Sequence, residues 1–166
     1  MCPLPPVMAG SPAAPEAGER LAGWQLLTRE ALAAQSQGEL DIALAGYVRA
    51  LWAAEALLGG PVLRLRPDDC LAALVVSHHN LADLYRHRGQ HGLAVDHLCR
   101  AHLLLLRLSG DDSLPADVRV ATWRHLQRTR AELLAWQREH GSEAAIDSAL
   151  QAPPPSAAIG SPARLH

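Results

Sequence analysis

A helix–turn–helix pattern recurs along the chain at a nearly constant interval, and this repetition restricts the fold more than any other feature. The stretches 38–51 (GELDIALAGYVRAL) and 89–102 (GQHGLAVDHLCRAH) each begin at a glycine and continue with apolar residues at helical spacing. Gly141 follows Gly89 after 52 residues, close to the 51 residues that separate Gly38 from Gly89. A fixed period of this kind is typical of repeat architectures, in which each unit is one helical hairpin.

Small residues occupy equivalent positions in the first two units. Superposing the two glycines aligns three further pairs of identical residues: Ala43 with Ala94, Arg49 with Arg100, and Ala50 with Ala101. Alanine on an apolar helix face lets two helix axes approach closely, so we expect these alanines to lie at helix crossings. After Gly141 the stretch GSEAAIDSALQA keeps the apolar character but not the spacing. The sequence therefore predicts three hairpins, the third of them degraded.

The composition between these glycines predicts an all-α fold. Ala, Leu, Arg, Glu and Gln dominate, and all are good helix formers. No alternating run of β-branched or aromatic residues indicates a strand. Glycine, proline and polar breaks divide the chain into six predicted helices, at about 17–37, 39–58, 68–88, 91–108, 115–139 and 142–150.

Proline-rich segments at both ends predict disordered termini around a single helical domain. Residues 1–16 are rich in proline and alanine, and residues 151–166 form a proline-rich tail. Segments of this composition bury too little apolar surface to offset the entropy lost on ordering. The helical domain is therefore expected to span residues 17–150.

Charge and cysteine content restrict the partners and the compartment. The formal net charge is −2, so no overall field attracts nucleic acid or an anionic membrane. No apolar run reaches membrane-spanning length, and the first residues lack the basic and apolar regions of a secretory signal. The three cysteines share no metal-type spacing, which favours a reduced, cytoplasmic protein. Cys70 and Cys99 lie in apolar helical contexts, where buried and unreactive thiols are expected.

No motif indicates a catalytic or cofactor site, so the sequence predicts a protein that is not an enzyme and carries no cofactor. A Gly-x-Ser-x-Gly elbow, a phosphate-binding loop and a CxxC pair are all absent. Six histidines are concentrated around one hairpin: His78, His79, His87, His91, His97 and His102. Gly89 separates the one pair with i, i+4 spacing, so we expect polar, partly exposed residues rather than ligands. Metal binding by this cluster remains an alternative.

Residues 75–108 resemble a tetratricopeptide repeat (TPR). That motif places large-x-x-Leu-small-x-x-Tyr on a first helix and Ala-x-x-x-large on a second. The corresponding residues here are His78, Leu81, Ala82, Tyr85, Ala94 and Leu98. The resemblance implies a right-handed superhelical stack of antiparallel hairpins, with about six helices. Because the period exceeds the family's usual length of about 34 residues, it implies an elongated three-hairpin variant.

A TPR-like fold implies a concave groove lined by the first helix of each hairpin. On that basis the expected groove residues are Arg29, His79, Asn80, Asp83, Arg86, His87, Arg128 and Arg138. Their arginines suit the carboxylates of an acidic peptide, because guanidinium groups form forked hydrogen bonds. The resemblance thus implies a protein–protein interaction scaffold or adaptor that binds another protein or a peptide, for which an acidic peptide is one candidate. The net charge, as noted above, argues against nucleic acid and membrane as partners.

Two further functions remain open. Secretion-type TPR chaperones hold an apolar segment of a partner, which would require an apolar groove. A homodimer through the third hairpin would require an exposed apolar face, for which Leu133, Leu134 and Trp136 are the candidates.

Overall fold

The computed structural model describes residues 13–154, and these residues fold into helices joined by short turns. The seven helices of this region are α1 (Ala13–Ser36), α2 (Leu40–Leu58), α3 (Pro61–Leu65), α4 (Pro67–His87), α5 (His91–Ser109), α6 (Ala116–His140) and α7 (Ala144–Gln151). No strand occurs between residues 13 and 154, which confirms the predicted all-α class. Residues 13–16, expected to belong to a disordered terminus, are part of α1. The disorder predicted for residues 1–12 and 155–166 lies outside the described residues.

The short helix α3 is absent from the six predicted helices. Its five residues follow Gly60, and Pro61 occupies the first helical turn, where its missing amide hydrogen costs nothing. Val62 and Leu63 are buried against the core, so the segment is an anchored turn rather than an open loop. Five residues are too few to show a helical period, which explains why the sequence pattern gives no signal here.

The three glycines that define the period all adopt a left-handed backbone. Their φ angles are 80° at Gly38, 72° at Gly89 and 93° at Gly141, and no other described residue has a positive φ. The first two turns also share one hydrogen-bond pattern, in which the residue after the glycine donates its amide to a carbonyl five residues earlier. The distances are 3.0 Å from Glu39 to Ala34 and 2.8 Å from Gln90 to Tyr85. This is the C-terminal cap that glycine allows, repeated at the predicted interval.

Each long helix pairs with the next one in the chain, and successive pairs stack. Helix α1 packs on α2, α4 on α5 and α6 on α7, while α2 also contacts α4 and α5 contacts α6. The aligned alanines of the two complete hairpins are all buried, namely Ala43, Ala50, Ala94 and Ala101. Their burial confirms the expectation that small residues lie at the interfaces between helices.

Helices α1 and α2 approach closely at Gly46. A Cβ atom placed on this glycine would lie 2.8 Å from the Cβ of Ala31 and 3.2 Å from its Cα. Both residues lie within helices, so neither backbone can move away without shifting a whole helix. Gly46 thus permits a close crossing that a larger residue would strain.

The apolar face expected on the third hairpin is largely covered. Leu133 is fully buried and Trp136 is 8 % exposed, because Ile146 and Ala149 of α7 pack against them in one core cluster. The prediction that these two residues form an exposed face is therefore wrong, and only Leu134 is open to solvent. Separately, none of the described helices combines the length and hydropathy needed to cross a membrane.

Candidate functional site: a groove between helices α4 and α6

A surface groove with a volume of about 280 Å³ lies where α4, α5 and α6 meet, and we call it the α4–α6 groove. Its lining combines apolar, acidic and basic side chains: His79, Ala82, Asp83, Arg86, Leu98, Glu132, Ala135, Trp136, Glu139 and His140. Ala82 and Trp136 are buried and Leu98 is half-buried, whereas Asp83 and Glu139 are exposed. The groove therefore has an apolar floor and charged edges.

His79 and Glu132 join the two walls of this groove. The Nε2 atom of His79 on α4 lies 2.5 Å from Oε2 of Glu132 on α6, and Nε of Arg128 lies 3.5 Å from the other carboxylate oxygen. Burial acts to raise the pKa of Glu132, but the hydrogen bonds and charges of His79 and Arg128 outweigh it and lower that pKa overall. Glu132 is thus an ionised carboxylate that ties α4 to α6.

Arg86 and Asp83 form a second pair on the α4 wall. Nη2 of Arg86 lies 3.1 Å from Oδ1 of Asp83, one helical turn away, and both side chains are well exposed. An exposed pair of this kind contributes about 0–1 kcal/mol. The guanidinium of Arg86 can therefore turn toward a ligand in the groove at little cost.

An aromatic cluster forms one end of the groove. The imidazole of His140 stacks on the indole of Trp136 with ring centroids 4.2 Å apart, and His91 approaches the same indole edge-on at 6.3 Å. Within residues 13–154, the buried indole Nε1 of Trp136 has no hydrogen-bond partner. The cluster gives the groove a rigid apolar end beside its charged walls.

The structure brings together only some of the predicted groove residues. His79, Asp83 and Arg86 line the α4–α6 groove. Arg128 does not line it but contacts Glu132, which does. The other four predicted residues do not line it: Arg29 on α1, Asn80 and His87 on α4, and Arg138 on α6. The acidic members from α6 were not predicted, although Glu132 and Glu139 are seven residues apart and so share one helix face.

Two of the six clustered histidines, His78 and His102, are buried, which corrects the expectation that all six are partly exposed. His78 is 2 % exposed, and its Nδ1 lies 3.0 Å from Nδ1 of His97, whose ring stacks on Tyr85. Since one ring nitrogen must donate and the other accept, at least one member of this pair is neutral. Burial, followed by the charges of His97, His79 and Arg100, lowers the pKa of His78 to about 3.

The remaining histidines do not gather around a common point. Nδ1 of buried His102 lies 3.0 Å from Oγ1 of Thr129, and Nε2 of His125 lies 3.4 Å from Oδ1 of Asp68. Among residues 13–154, no group of three or more His, Cys, Asp and Glu side chains is arranged to hold a metal ion. Within this region His79, His102 and His125, like the pair of His78 and His97, instead link neighbouring helices through polar contacts.

Cys70 and Cys99 are buried thiols, as the sequence predicts. Burial, reinforced by the nearby carboxylates of Asp69 and Asp96, raises the pKa of each to about 11. Thiolates are therefore scarce at both positions at neutral pH, which is unsuited to nucleophilic chemistry.

A second groove lies between α1 and α2 and is almost wholly apolar. It has a volume of about 440 Å³ and is lined by Arg20, Gly23, Trp24, Leu26, Leu27, Ala53, Ala56 and Leu57. Its single charged residue is Arg20. We call this surface the α1–α2 groove.

Fold and grooves together define an all-helical protein of stacked hairpins that carries open grooves between its helices. The profile of a family described as "Protein of unknown function (DUF2753)" matches residues 22–156, which is most of the chain, and the protein belongs to this family. No curated protein and no solved structure matches the chain.

Proposed function

We propose that this protein is a TPR-like interaction module that binds a segment of a partner protein in the α4–α6 groove. The observation that supports this most directly is the lining of the groove, which places an apolar floor between charged walls on the first helices of two successive hairpins. Grooves of this kind bind a peptide through apolar anchors and select it through charge. The module acts by binding and has no catalytic role in this proposal.

The charge of the groove favours a partner segment with a basic side chain beside an apolar one. Three carboxylates line the groove, Asp83, Glu132 and Glu139, against the single guanidinium of Arg86. Arg86 and Arg128 are each already paired with an acid. An acidic partner would have to displace these pairs, whereas a basic one would meet the carboxylate of Glu139 directly.

Site-specific photo-crosslinking tests the groove assignment. When Ala135, which lines the groove, is replaced by the photo-crosslinking residue benzoylphenylalanine, we expect the protein to capture a defined partner from native lysate. The same replacement at Glu55, which is exposed on α2, should capture none. Adducts of equal yield and identity at both positions, or no adduct at Ala135, would contradict the proposal.

Removing the carboxylate of Glu139 is expected to weaken the captured interaction without altering stability. Loss of a hydrogen bond to a charged group costs ~1.5–3 kcal/mol, so Glu139→Ala should lower affinity by about tenfold or more. The melting temperature should stay within about 1–2 °C, because Glu139 is exposed. Titration calorimetry with the captured partner and a thermal scan make both measurements. A fall in stability with unchanged affinity would show that Glu139 has a structural role.

The α1–α2 groove favours a second candidate, a chaperone of the secretion type that holds an apolar segment. Its lining is apolar apart from Arg20, as such a function requires. Leu26→Asp should then abolish both bis-ANS binding and the suppression of client aggregation. Leu32→Asp is the matched control, since Leu32 is also exposed on α1 but does not line this groove. Equal loss in both variants would argue against the chaperone function.

A further inference from the structure

Helix α6 is much longer than the helix that follows it. In the second hairpin α4 has 21 residues and α5 has 19, whereas in the third hairpin α6 has 25 residues and α7 only 8. Relative to α5, α7 lacks 11 residues, which corresponds to about 16 Å of helix. Pro153 and Pro154 follow α7 directly, and proline cannot continue a helix into this space.

The part of α6 that α7 does not reach carries an exposed stripe. Aligning the turn at Gly141 with the turn at Gly89 pairs buried residues of α4 with exposed residues of α6: Leu71 with Trp123, Val75 with Gln127, and His78 with Arg130. Val120, one turn before Trp123, is 60 % exposed, and Trp123 itself is 58 % exposed. We call Val120, Trp123, Gln127 and Arg130 the open face of α6.

The second hairpin shows what covers this face in a complete unit. On α4, His78 contacts His97 of α5 at 3.0 Å, and Leu71 shares a core cluster with Leu105 of α5. On α6, Nη1 of Arg130 reaches only the carbonyl oxygen of Leu150, at 3.4 Å, one residue before α7 ends. The open face of α6 therefore corresponds to the half of α4 that is covered by the C-terminal part of α5, the part that has no equivalent in α7.

We propose that the open face of α6 binds an amphipathic α-helix of a partner protein, in the place that a full-length α7 would occupy. About three helical turns fit the uncovered length. Trp123 is exposed beside Val120, and tryptophan is a residue type that anchors such interfaces. This surface is separate from the α4–α6 groove, because Glu132 and Glu139 lie on the opposite side of α6.

Charge indicates which helix fits. Arg119 and Arg124, on either side of Trp123, are already paired with Asp112 at 3.0 Å and with Asp68 at 2.8 Å. Arg130 has no carboxylate partner among residues 13–154, so the bound helix should present one opposite it. The chain's own residues 155–166 contain no Asp or Glu but two prolines and a glycine, and they do not match this description.

A peptide taken from the chain itself provides the probe. Residues 100–109 are the C-terminal part of α5, beyond the point at which α7 ends when the two turns are aligned, and the charge of Arg100 acts on His78, the counterpart of Arg130. A labelled 100–109 peptide with Arg100→Glu should bind the full-length protein in a fluorescence anisotropy titration. Trp123→Ala should weaken this binding at least tenfold. Trp52→Ala should change it less than twofold, because Trp52 is equally exposed but lies on α2.

Charge reversal separates specific docking from general hydrophobic contact. Arg130→Glu should weaken binding of the glutamate-bearing peptide and favour a peptide with lysine at the same position. Circular dichroism of each variant should match the wild type, since all substituted residues are exposed.

Three results would overturn the proposal. The first is no binding, or equal binding to the wild type and Trp123→Ala. The second is dissociation of a wild-type dimer by Trp123→Ala in light scattering, which would make a second copy the occupant. The third is tighter peptide binding after removal of residues 155–166, which would assign the face to the chain's own tail.

Discussion

Acidification from pH 7 to pH 5 is expected to lower the free energy of unfolding by about 2 kcal/mol through His78 alone. In the folded protein the pKa of His78 lies at about 3, chiefly because the ring is buried, while in the unfolded chain it returns to about 6.5. Between these values the unfolded state binds more protons, so stability is complete above pH 6.5 and falls as the pH drops toward 3. The pKa values of His97, His102 and His125 are lowered mainly by burial as well and act in the same direction.

Urea denaturation at several pH values measures this effect. A variant with both His78→Leu and His97→Leu removes the contacting pair while nearly conserving volume. Between pH 7 and pH 5 the decrease in its unfolding free energy should therefore be smaller than that of the wild type by at least ~2 kcal/mol. His87→Leu is the control, because His87 is exposed and should leave the acid sensitivity unchanged. An equally steep pH dependence in the double variant would show that other groups cause the acid sensitivity.

Replacing Gly46 by alanine is expected to destabilise the protein, although alanine is the better helix former. The added Cβ would lie 2.8 Å from the Cβ of Ala31. Overpacking between two helices costs ~1–3 kcal/mol, and the short contact places Gly46 near the upper end. The higher helix propensity of alanine offsets about 1 kcal/mol of this cost, so we expect the free energy of unfolding to fall by ~1–2 kcal/mol. For a chain of this size the melting temperature should fall by ~2–4 °C per kcal/mol.

Two further variants make the Gly46 test specific. Gly23→Ala, on α1, should raise stability by ~0.5–1 kcal/mol, because nothing lies within 4 Å of its added Cβ. Combining Gly46→Ala with Ala31→Gly removes the shorter of the two close contacts and should recover part of the loss, which a double-mutant cycle measures. If the loss at Gly46 persists in the combined variant, close helix contact is not its cause.

The helical class and the repeated turns could be predicted because they depend on local sequence. Gly38, Gly89 and Gly141 each stand where a helix ends, and glycine adopts the left-handed conformation needed there without strain. The alanines that recur after the first two glycines were likewise correctly placed in the core. Helix α3 could not be predicted, because five residues carry no measurable period.

The sites depend on how helices far apart in sequence are aligned, which no local pattern determines. His79, Asp83 and Arg86 share a face of α4 by spacing, and the structure places them in one groove. The contact between Glu132 and His79 depends on the axial position of α6 relative to α4. The contact between His78 and His97 also joins two helices, and the ring of His78, which was expected to be partly exposed, is buried.

The buried cysteines make the two ends of the helical array separately observable. Cys70 belongs to a core cluster to which each of the helices from α1 to α6 contributes, and Cys99 to a different cluster that includes α7. Each thiol can be modified only when its own cluster opens, and proteins open regionally with different free energies. With Cys2→Ser in place, the two labelling rates under native conditions would report the local opening of each end. The chain thus contains its own pair of probes for which end of the array opens first.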